Sequence, residues 1–362
     1  MSLVREGIKL ISSSFKRKII GHDRFKGNAN QICRKITKKC WNGKYLKNSL
    51  GNYKEFWARD FGLSVDALIA TGFKEEVKQT IKYALRKYYR FGKITTTIHG
   101  NGTLFNFPVK LYSPDSVAHL FYSLKKLKLN DLIKKYRIFL QNEVDKFFKK
   151  TLDKRTGLIK KEKYSSMRDF VATKGSCYDC VILFWMSKLA KELGFNAPKL
   201  DLNKFIKKYW NGEYFNNGIE EKHFAVDANV MPFWTGLVKN KKKFEKVILK
   251  IEKEKLNEPL SLKYTNYTKE KHISYEILSP SWERNKVWSN VGLMYMLLLA
   301  KSDKKRCMKE IKKYEKIIKK QGTMYECYTE TKPYRSLLYF SDDGMMWCIN
   351  LSYIIKLFNS KK

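Results

Sequence analysis

The fold class of this chain is decided by one stretch, Val291-Gly292-Leu293-Met294-Tyr295-Met296-Leu297-Leu298-Leu299-Ala300. Wound as a helix, this stretch is apolar on nearly every side. A surface helix keeps one polar face, whereas a helix that is hydrophobic all round is buried by other helices. The stretch therefore predicts a protein built from inner helices that outer helices enclose.

Similar apolar stretches with helical periodicity recur along the chain. With the quoted one they number six: 61–71, 115–127, 176–193, 226–238, 287–300 and 343–357. Lys-rich segments with one apolar stripe alternate with them: 74–91, 129–149, 202–209, 240–255 and 304–320. Each of these segments predicts an outer helix with one solvent-exposed face. The alternation repeats every roughly 55 residues, which is longer than the units of most helical solenoids.

An all-α (α/α)6 toroid, in which six outer helices surround six inner ones, fits this alternation. The segment 28–41 supplies the outer helix that closes the ring. A helical solenoid is the rival, but its repeats resemble one another in sequence and these do not. Minor β hairpins on one rim are predicted for 93–107 and 263–277. We expect residues 51–362 to form the toroid and residues 1–50 to be a basic helical segment packed on it.

The charge balance is strongly basic, with 74 Lys and Arg against 35 Asp and Glu and a formal net charge of +39. Such a charge attracts nucleic acid, anionic membranes and acidic polymers. The Lys residues are spread over the whole chain, often opposite apolar residues at helical spacing, as in 239–255. We therefore interpret the charge as a solvated surface, predict no specific nucleic acid partner, and expect at most weak binding to anionic surfaces. The sequence does not specify an oligomeric state.

The cysteines are odd in number and scattered, at positions 33, 40, 177, 180, 307, 327 and 348. This pattern favours reduced thiols and a cytoplasmic location. Cys177 and Cys180 have CxxC spacing, but no second Cys or His pair follows at metal-ligand spacing, so they are interpreted as helix packing. No metal or cofactor is predicted. Residues 1–21 do not predict a signal peptide, and no run of 18 apolar residues predicts a membrane span.

Carboxylates and aromatic side chains are concentrated just before the predicted inner helices. They include Trp57, Arg59 and Asp60 before the first helix, Asp169 before the third, Asp227 before the fourth, Trp282 and Trp288 before the fifth, and Glu326 and Tyr328 before the sixth. The starts of all inner helices of a toroid lie on one face, so these side chains are expected to converge on one funnel. Aromatic faces suit sugar rings, and glycoside hydrolysis needs two carboxyl groups, one that donates a proton and one that activates water or attacks.

A structural role competes with catalysis for several of these carboxylates. Helix capping, or balance of a helix dipole, is an alternative for Asp60, Asp115, Asp227, Asp342 and Asp343. It is favoured most for Asp115, which follows Pro114. Glu326 is different, because it does not directly precede a helix start and tyrosines flank its segment. Asp169 lies in a polar loop, and both roles stay open for it.

The order of these segments resembles that of the (α/α)6 glycosidases related to glucoamylase, trehalase and mannosyl-oligosaccharide glucosidase, over most of the chain. The matching segments are Phe56-Trp57-Ala58-Arg59-Asp60-Phe61-Gly62, Trp210-Asn211-Gly212-Glu213-Tyr214-Phe215, Val226-Asp227-Ala228-Asn229, Ser281-Trp282 with Trp288, and Tyr325-Glu326-Cys327-Tyr328. Each segment is weak alone, and their common order carries the resemblance. We expect a minimal catalytic domain, without the large N-terminal β domain of many relatives.

This resemblance implies the catalytic pair. Its Glu-x-Tyr segment carries the general base, which matches Glu326. Its general acid is an Asp before the third inner helix, which matches Asp169, with Asp179 as the alternative. The small-residue and Trp context that the family usually has around this acid is absent here.

The resemblance also implies how the sugar is held. Arg59 and Asp60 match the residues that hold the terminal sugar, and tryptophans form stacking walls. The implied substrate-binding residues are Trp57, Arg59, Asp60, Asp227, Trp282, Trp288 and Tyr328.

Taken together, these patterns predict a glycoside hydrolase that inverts the anomeric centre and acts at a chain end, on an α-glucoside or a related neutral oligosaccharide. One alternative keeps the toroid and changes the chemistry to that of a lyase, an epimerase or an unsaturated-uronide hydrolase, whose acidic substrate would suit the basic charge. The other alternative is a non-enzymatic basic helical protein that binds nucleic acid or anionic surfaces.

Overall fold

The computed structural model describes residues 3–273, 276 and 279–359. Its helices are, in chain order, α1 (Leu3–Ile20), α2 (Ala29–Cys40), α3 (Ala58–Ala70), α4 (Lys74–Phe91), α5 (Pro114–Lys126), α6 (Asn130–Lys135), α7 (Arg137–Thr151), α8 (Cys177–Glu192), α9 (Leu202–Tyr209), α10 (Val226–Trp234), α11 (Lys241–Lys253), α12 (Ser289–Ser302), α13 (Lys304–Gln321) and α14 (Ile349–Asn359). A 3-10 turn, Met346–Cys348, leads into α14.

Six of these helices form a closed inner ring. Helix α3 packs against α5, α5 against α8, α8 against α10, α10 against α12, α12 against α14, and α14 against α3. The quoted stretch 291–300 lies in α12 and is almost wholly buried. The all-α (α/α)6 toroid predicted from the sequence is therefore confirmed.

The outer helices pack against the inner ones that they neighbour in the chain. Helix α4 contacts α3, α7 contacts α8, α9 contacts α8, α11 contacts α10, and α13 contacts α12. Helix α2 packs against α13 and α14, so the segment 28–41 does close the outer layer. The single helix predicted for 129–149 is divided, because Tyr136 leaves helical geometry and separates α6 from α7.

Close approach between layers requires a glycine in one inner helix. A Cβ atom at Gly292 would collide with the carbonyl oxygen of Ser261 and approach the hydroxyl of Tyr314 on α13. The missing side chain lets α12 lie directly against the segment that follows α11. This is why a helix that is otherwise built of large apolar residues carries a glycine in its first turn.

Short strands gather on the face where the inner helices begin. They are β1 (Phe56–Trp57), β2 (Thr97–Ile98), β3 (Leu104–Phe105), β4 (Leu152–Asp153), β5 (Leu158–Ile159), β6 (Val287–Trp288), β7 (Cys327–Thr329) and β8 (Lys332–Pro333). Strands β1, β2 and β3 form one antiparallel sheet and β6, β7 and β8 another. Because β1 runs into α3 and β6 into α12, both sheets form part of that rim.

The two predicted hairpins have different outcomes. Strands β2 and β3 form the hairpin expected within 93–107. In the described part of 263–277 no hairpin forms, because Lys263 pairs with Val287 and His272 pairs with Val171 instead. Residues 274, 275 and 277 lie outside the described residues.

None of the helices in the described part of the chain is long and apolar enough to cross a bilayer. The boundary at residue 50 between an N-terminal segment and the toroid stays a prediction.

Candidate active site

Six aromatic side chains form a closed circle on the face where the inner helices begin. We call this circle the collar; its members are Tyr53, Trp57, Phe107, Phe170, Trp282 and Tyr339. Neighbouring ring centroids lie 5.3 Å apart for Tyr53 and Trp57, 6.2 Å for Trp57 and Phe107, 6.4 Å for Phe107 and Phe170, 5.7 Å for Phe170 and Trp282, and 4.7 Å for Trp282 and Tyr339. The hydroxyl groups of Tyr339 and Tyr53, 3.1 Å apart, complete the circle.

The collar is assembled from segments that precede five different inner helices. Tyr53 and Trp57 precede α3, Phe107 precedes α5, Phe170 precedes α8, Trp282 precedes α12 and Tyr339 precedes α14. Trp288 supports the collar, since its ring stacks on that of Trp282 at 5.1 Å and its indole N–H donates to the Trp282 carbonyl oxygen at 2.9 Å. The three tryptophans expected as stacking walls are thus brought together.

Glu326 lies at this collar and is buried. The hydroxyl of Tyr339 donates to its Oε2 atom at 2.6 Å. Burial raises the pKa of Glu326 well above its ordinary value, and the nearby carboxyl groups of Asp342 and Asp60 raise it further, while the Tyr339 hydrogen bond lowers it. The carboxyl group is therefore held by a collar residue and titrates at a higher pH than a free glutamate.

Asp169 lies next to Phe170, which Trp282 separates from Tyr339 in the collar, and it is partly exposed, with 16% of its side chain accessible. Its Oδ1 atom is 3.7 Å from Nη2 of Arg59 and has no hydrogen-bond partner in the part of the chain that the structure describes. Burial raises the pKa of Asp169 well above its ordinary value; Arg59 opposes this, and Glu283 adds to it. A raised pKa favours the protonated form that a proton donor needs.

Glu283 fixes the loop that carries Asp169. Its Oε1 atom accepts the backbone N–H of Asp169 at 2.5 Å, and its Oε2 atom accepts those of Phe170 at 2.8 Å and Val171 at 3.1 Å. Because Glu283 follows Trp282, this carboxylate ties two parts of the collar to each other. Burial raises its pKa to about 7, against the opposing charges of Lys163 and Arg168 and the backbone N–H groups.

Replacing Glu283 by glutamine is expected to loosen this loop. The amide NH2 group would face backbone N–H groups that need an acceptor, and leaving a buried donor unsatisfied costs about 1–3 kcal/mol. Hydrogen exchange of a peptide covering 167–172 should become faster, and the free energy of unfolding should fall by about that amount. Glu220→Gln, a change at an exposed ion pair with Lys161, is the control. Unchanged exchange in Glu283→Gln would contradict this role.

Arg59 and Asp60 begin α3 beneath the collar, and both are buried. Nη1 of Arg59 donates to Asp115 at 3.1 Å and contacts the carbonyl oxygen of Ser166, while Nη2 faces Asp169. Burial raises the pKa of Asp60 to about 6, and Arg59 lowers it. The two residues expected to hold the sugar therefore lie beside both proposed catalytic carboxyl groups.

The carboxylate of Asp115 is held in place by hydrogen bonds, which leaves it unsuited to a catalytic role. It accepts hydrogen bonds from Arg59, from the hydroxyl of Tyr178 at 3.0 Å and from that of Ser113 at 2.9 Å, in the first turn of α5. Its place in the first turn suits the helix dipole, but the capping hydrogen bond favoured from the sequence is not formed.

Asp179, the alternative acid, lies in the first turn of α8. The hydroxyl groups of Ser166 and Ser176 donate to its two oxygens at 2.5 and 2.6 Å, and Ser176 in turn caps the helix. Burial raises the pKa of Asp179 to about 6. Asp179 lines a cavity of about 20 Å³, apart from the collar, that has the size for a single water molecule.

Asp227 belongs to a second buried cluster of charges. Its Oδ2 atom is 3.4 Å from Nε of Arg168, whose Nη1 donates to Glu270 at 2.7 Å. His223 lies 2.7 Å from the same Glu270 oxygen, and the pKa of Glu270 is lowered to about 2 by Arg168 and His223, although burial opposes them. Asp227 lines the same small cavity as Asp179, not the collar.

Tyr328 does not reach the collar. It is wholly buried in a small apolar cluster with Tyr325, Phe340 and Val287, and its hydroxyl oxygen accepts the backbone N–H of Tyr325 at 2.9 Å. Strand pairing explains this placement, because Tyr328 stands opposite Val287 in the β6–β7 ladder.

Sequence reasoning missed several members of the site. Phe107, Phe170 and Tyr339 come from loops without periodicity, and no role was assigned to Glu283. The only available signal was proximity in sequence, since Phe170 follows Asp169 and Glu283 follows Trp282. Over residues 3–273, 276 and 279–359, no group of three or more His, Cys, Asp or Glu side chains is arranged to hold a metal ion.

No family model and no curated protein matches this sequence. Solved structures match it in overall shape. A wild-type glycosidase aligns with a TM-score of 0.64 at 9% identity, over 98% of each chain. The GH63 mannosylglycerate hydrolase of Thermus thermophilus, in complex with Tris and D-glycerate, aligns with a TM-score of 0.59 at 11% identity, over 91% of this chain and 100% of that one. A glycosidase variant in complex with glucose gives a TM-score of 0.62 at 9% identity, over 98% of each chain.

These neighbours belong to the (α/α)6 glycoside hydrolases related to glucoamylase and mannosyl-oligosaccharide glucosidase. The structural resemblance expected from the order of the sequence segments is thereby confirmed. At about one identical residue in ten, the likeness establishes the fold that the proteins share.

Proposed function

We propose that this chain is a glycoside hydrolase that inverts the anomeric centre and acts at a chain end, on an α-glucoside or a related neutral oligosaccharide. One observation carries the proposal: Asp169 and Glu326, from loops before two different inner helices, both lie at the aromatic collar. Glu326 accepts the Tyr339 hydroxyl, which also meets that of Tyr53, and Asp169 adjoins the collar member Phe170, so both carboxyl groups adjoin the same circle of side chains. Both have raised pKa values themselves.

In the proposed reaction, Asp169 is the general acid and Glu326 the general base. Asp169 gives its proton to the glycosidic oxygen as the bond from that oxygen to the anomeric carbon breaks. Glu326 takes a proton from water, whose oxygen forms the new bond to the same carbon from the opposite face. The bound sugar then carries the new hydroxyl, and the leaving group departs as an alcohol. An inverting pair should have carboxyl groups about 6.5–9.5 Å apart.

Action at a chain end is supported by the closure of the collar. A closed circle of six aromatic side chains offers no open groove along which a chain could pass, so we expect only a terminal sugar to reach the carboxyl groups. Arg59 and Asp60, buried beneath it, provide charged partners for the hydroxyl groups of that sugar. The glucose bound by a structural neighbour supports a glucoside as the first substrate to test.

The test is hydrolysis of a panel of α- and β-linked disaccharides and oligosaccharides, with the product anomer read early by NMR. Release of a terminal sugar with inverted configuration would support the proposal. A retained configuration would overturn the inverting mechanism, and no release from any glycoside would overturn the hydrolase.

The second candidate is the same fold acting on an acidic glycoside, by hydrolysis, elimination or epimerisation. Lys163 favours it: this cation lies near Asp169 and Glu283, and its Nζ atom donates to the Arg168 carbonyl oxygen at 3.1 Å. A neighbouring hydrolase acts on mannosylglycerate and was solved with D-glycerate. Glycosides of hydroxy acids and uronides therefore belong in the panel, and a change in ultraviolet absorbance would reveal a double bond made or lost.

A non-enzymatic role in binding nucleic acid is the remaining alternative. It predicts affinity for DNA of any sequence that falls steeply with rising salt. Sugar release by the same preparation would decide against it.

The Tyr339→Phe variant should shift the pH dependence of hydrolysis. The lost hydroxyl stabilises the ionised form of Glu326, so its removal raises the pKa of Glu326 further. The base must be ionised, so the acidic limb of the kcat/KM profile should move to higher pH. Tyr334→Phe is the control, since that hydroxyl donates to the Pro280 carbonyl oxygen instead. An acidic limb that does not move would count against Glu326 as the base.

Two further proposals concern the setting of the enzyme. We propose that residues 51–362 form the catalytic domain and that residues 1–50 pack on it, with α2 of that segment closing the outer layer of helices. We also propose a cytoplasmic location. It is supported by the seven cysteines, which are all buried and form no disulfide bonds.

A further inference from the structure

Helix α1 is held on the collar side of the toroid by one face. Ser14 is fully buried, and Arg17 forms an ion pair with Asp343 and donates to the Leu50 carbonyl oxygen at 2.8 Å. Lys18 donates to the carbonyl oxygens of Ser336 and Leu337, each at 2.8 Å. These contacts fix which face of α1 is turned away from the protein.

The opposite face of α1 is apolar and exposed. Ile8 is 61% exposed, Phe15 59% and Ile19 74%, and their spacing of seven and four residues puts them on one side of the helix. Leu337, 88% exposed, lies in the loop that Lys18 of α1 contacts, since its carbonyl oxygen accepts a Lys18 hydrogen bond. We call this surface the α1 patch; its members are Ile8, Ile11, Phe15, Ile19, Leu337 and Leu338.

Exposed basic side chains accompany the α1 patch along the chain. Lys16 is exposed on α1 itself, Lys332 and Arg335 are exposed shortly before Leu337 in the sequence, and the whole chain carries a net charge of +39. A second copy of the chain would bring an equally basic surface against this one, so self-association through the patch is opposed by like charge. Nucleic acid would satisfy the cations but not the apolar side chains. A surface with negative groups outside and hydrocarbon beneath can bind the cations and bury the apolar side chains.

We propose that the α1 patch docks this protein on an anionic lipid bilayer. The apolar side chains of α1 enter the boundary between headgroups and acyl chains, as those of an interfacial amphipathic helix do, and the flanking Lys and Arg side chains meet the lipid phosphates. This proposal does not depend on the glycosidase proposal.

Docking would also orient the collar. Leu338 directly precedes Tyr339, a collar member, and Arg17 of α1 pairs with Asp343 on the segment that leads into α14. The bilayer would therefore lie on the collar side of the toroid rather than against its far face.

The experiment is co-sedimentation of the full chain with phosphatidylcholine vesicles that contain or lack phosphatidylglycerol. The wild-type chain is expected to bind the anionic vesicles and to bind the neutral ones much more weakly. The double variant Phe15→Glu/Ile19→Glu should lose at least about ten-fold in affinity for anionic vesicles, because it removes inserted apolar groups and adds negative charge.

The matched control is Ile138→Glu/Leu249→Glu. Both of these residues are also exposed, at 80% and 51%, and the control changes the net charge by the same amount on α7 and α11. It should keep affinity within about two-fold. An equal loss in both double variants would overturn the proposal, because binding would then follow charge alone. Failure of the wild-type chain to bind either kind of vesicle would also overturn it. So would sedimentation equilibrium that shows a wild-type dimer and a monomeric Phe15→Glu/Ile19→Glu variant.

Discussion

Replacing Glu326 by glutamine is expected to lower kcat for glycoside hydrolysis by about 10²–10⁴-fold, the usual contribution of a general base. Glutamine keeps the size of the side chain and can still accept the hydrogen bond from Tyr339, so the collar should stay intact. It cannot take a proton from water. Substrate binding should therefore change little, and the loss should fall on kcat rather than on KM.

Glu330→Gln is the matched control, because Glu330 is exposed in the turn that joins β7 to β8 and its replacement removes the same charge from the same hairpin. The measurement is steady-state hydrolysis of the best substrate from the panel, with binding of the product sugar followed separately. If Glu326→Gln lost its activity through a weaker affinity for sugar, Glu326 would be a binding residue and another group would be the base.

Replacing Asp169 by asparagine should cause a loss of similar size, about 10²–10⁴-fold, but only for substrates whose leaving group needs a proton. A sugar leaving group needs one, and the neutral amide cannot supply it. A glycosyl fluoride or a dinitrophenyl glycoside leaves without protonation, so its hydrolysis should fall by about ten-fold or less. This contrast separates the acid from the base, because the Glu326 variant should be impaired with both kinds of substrate.

Two further variants serve as a control and as a test of the alternative acid in the Asp169 experiment. Asp131→Asn, on the exposed side of α6, removes a carboxylate without touching the collar. Asp179→Asn tests the alternative acid directly, and we expect it to affect stability through Ser166 and Ser176 rather than to show this dependence on the leaving group. If activity depended on the leaving group in Asp179→Asn and not in Asp169→Asn, Asp179 would be the general acid instead of Asp169.

The fold was predictable because the pattern of apolar residues that indicates each helix lies within one short segment of sequence. The outer helices over 74–91 and 202–209 have the bounds that their apolar stripes predict, and α12 contains the all-apolar stretch 291–300. The division at Tyr136 was missed because the apolar stripe continues across it.

The candidate site was only partly predictable, since it depends on where loops return to one another. Trp57, Arg59 and Asp60 adjoin a helix start, so the toroid alone predicts their face. Tyr339 reaches Glu326 through a loop between β8 and α14 that has no periodic pattern. Tyr328 was expected near the sugar and lies in an apolar cluster instead, because the β6–β7 pairing is a long-range contact that sequence spacing does not encode.

The packing of α14 against α3 leaves the inner ring without a first or last member. In an open array of helix pairs, each unit touches only its neighbours, and terminal units can unravel or be deleted singly. Here the loss of any one hairpin would expose the apolar flanks of two others at the same time. The six hairpins should therefore form and melt as one cooperative unit, and natural variation in length should fall in the rim loops rather than in the number of hairpins.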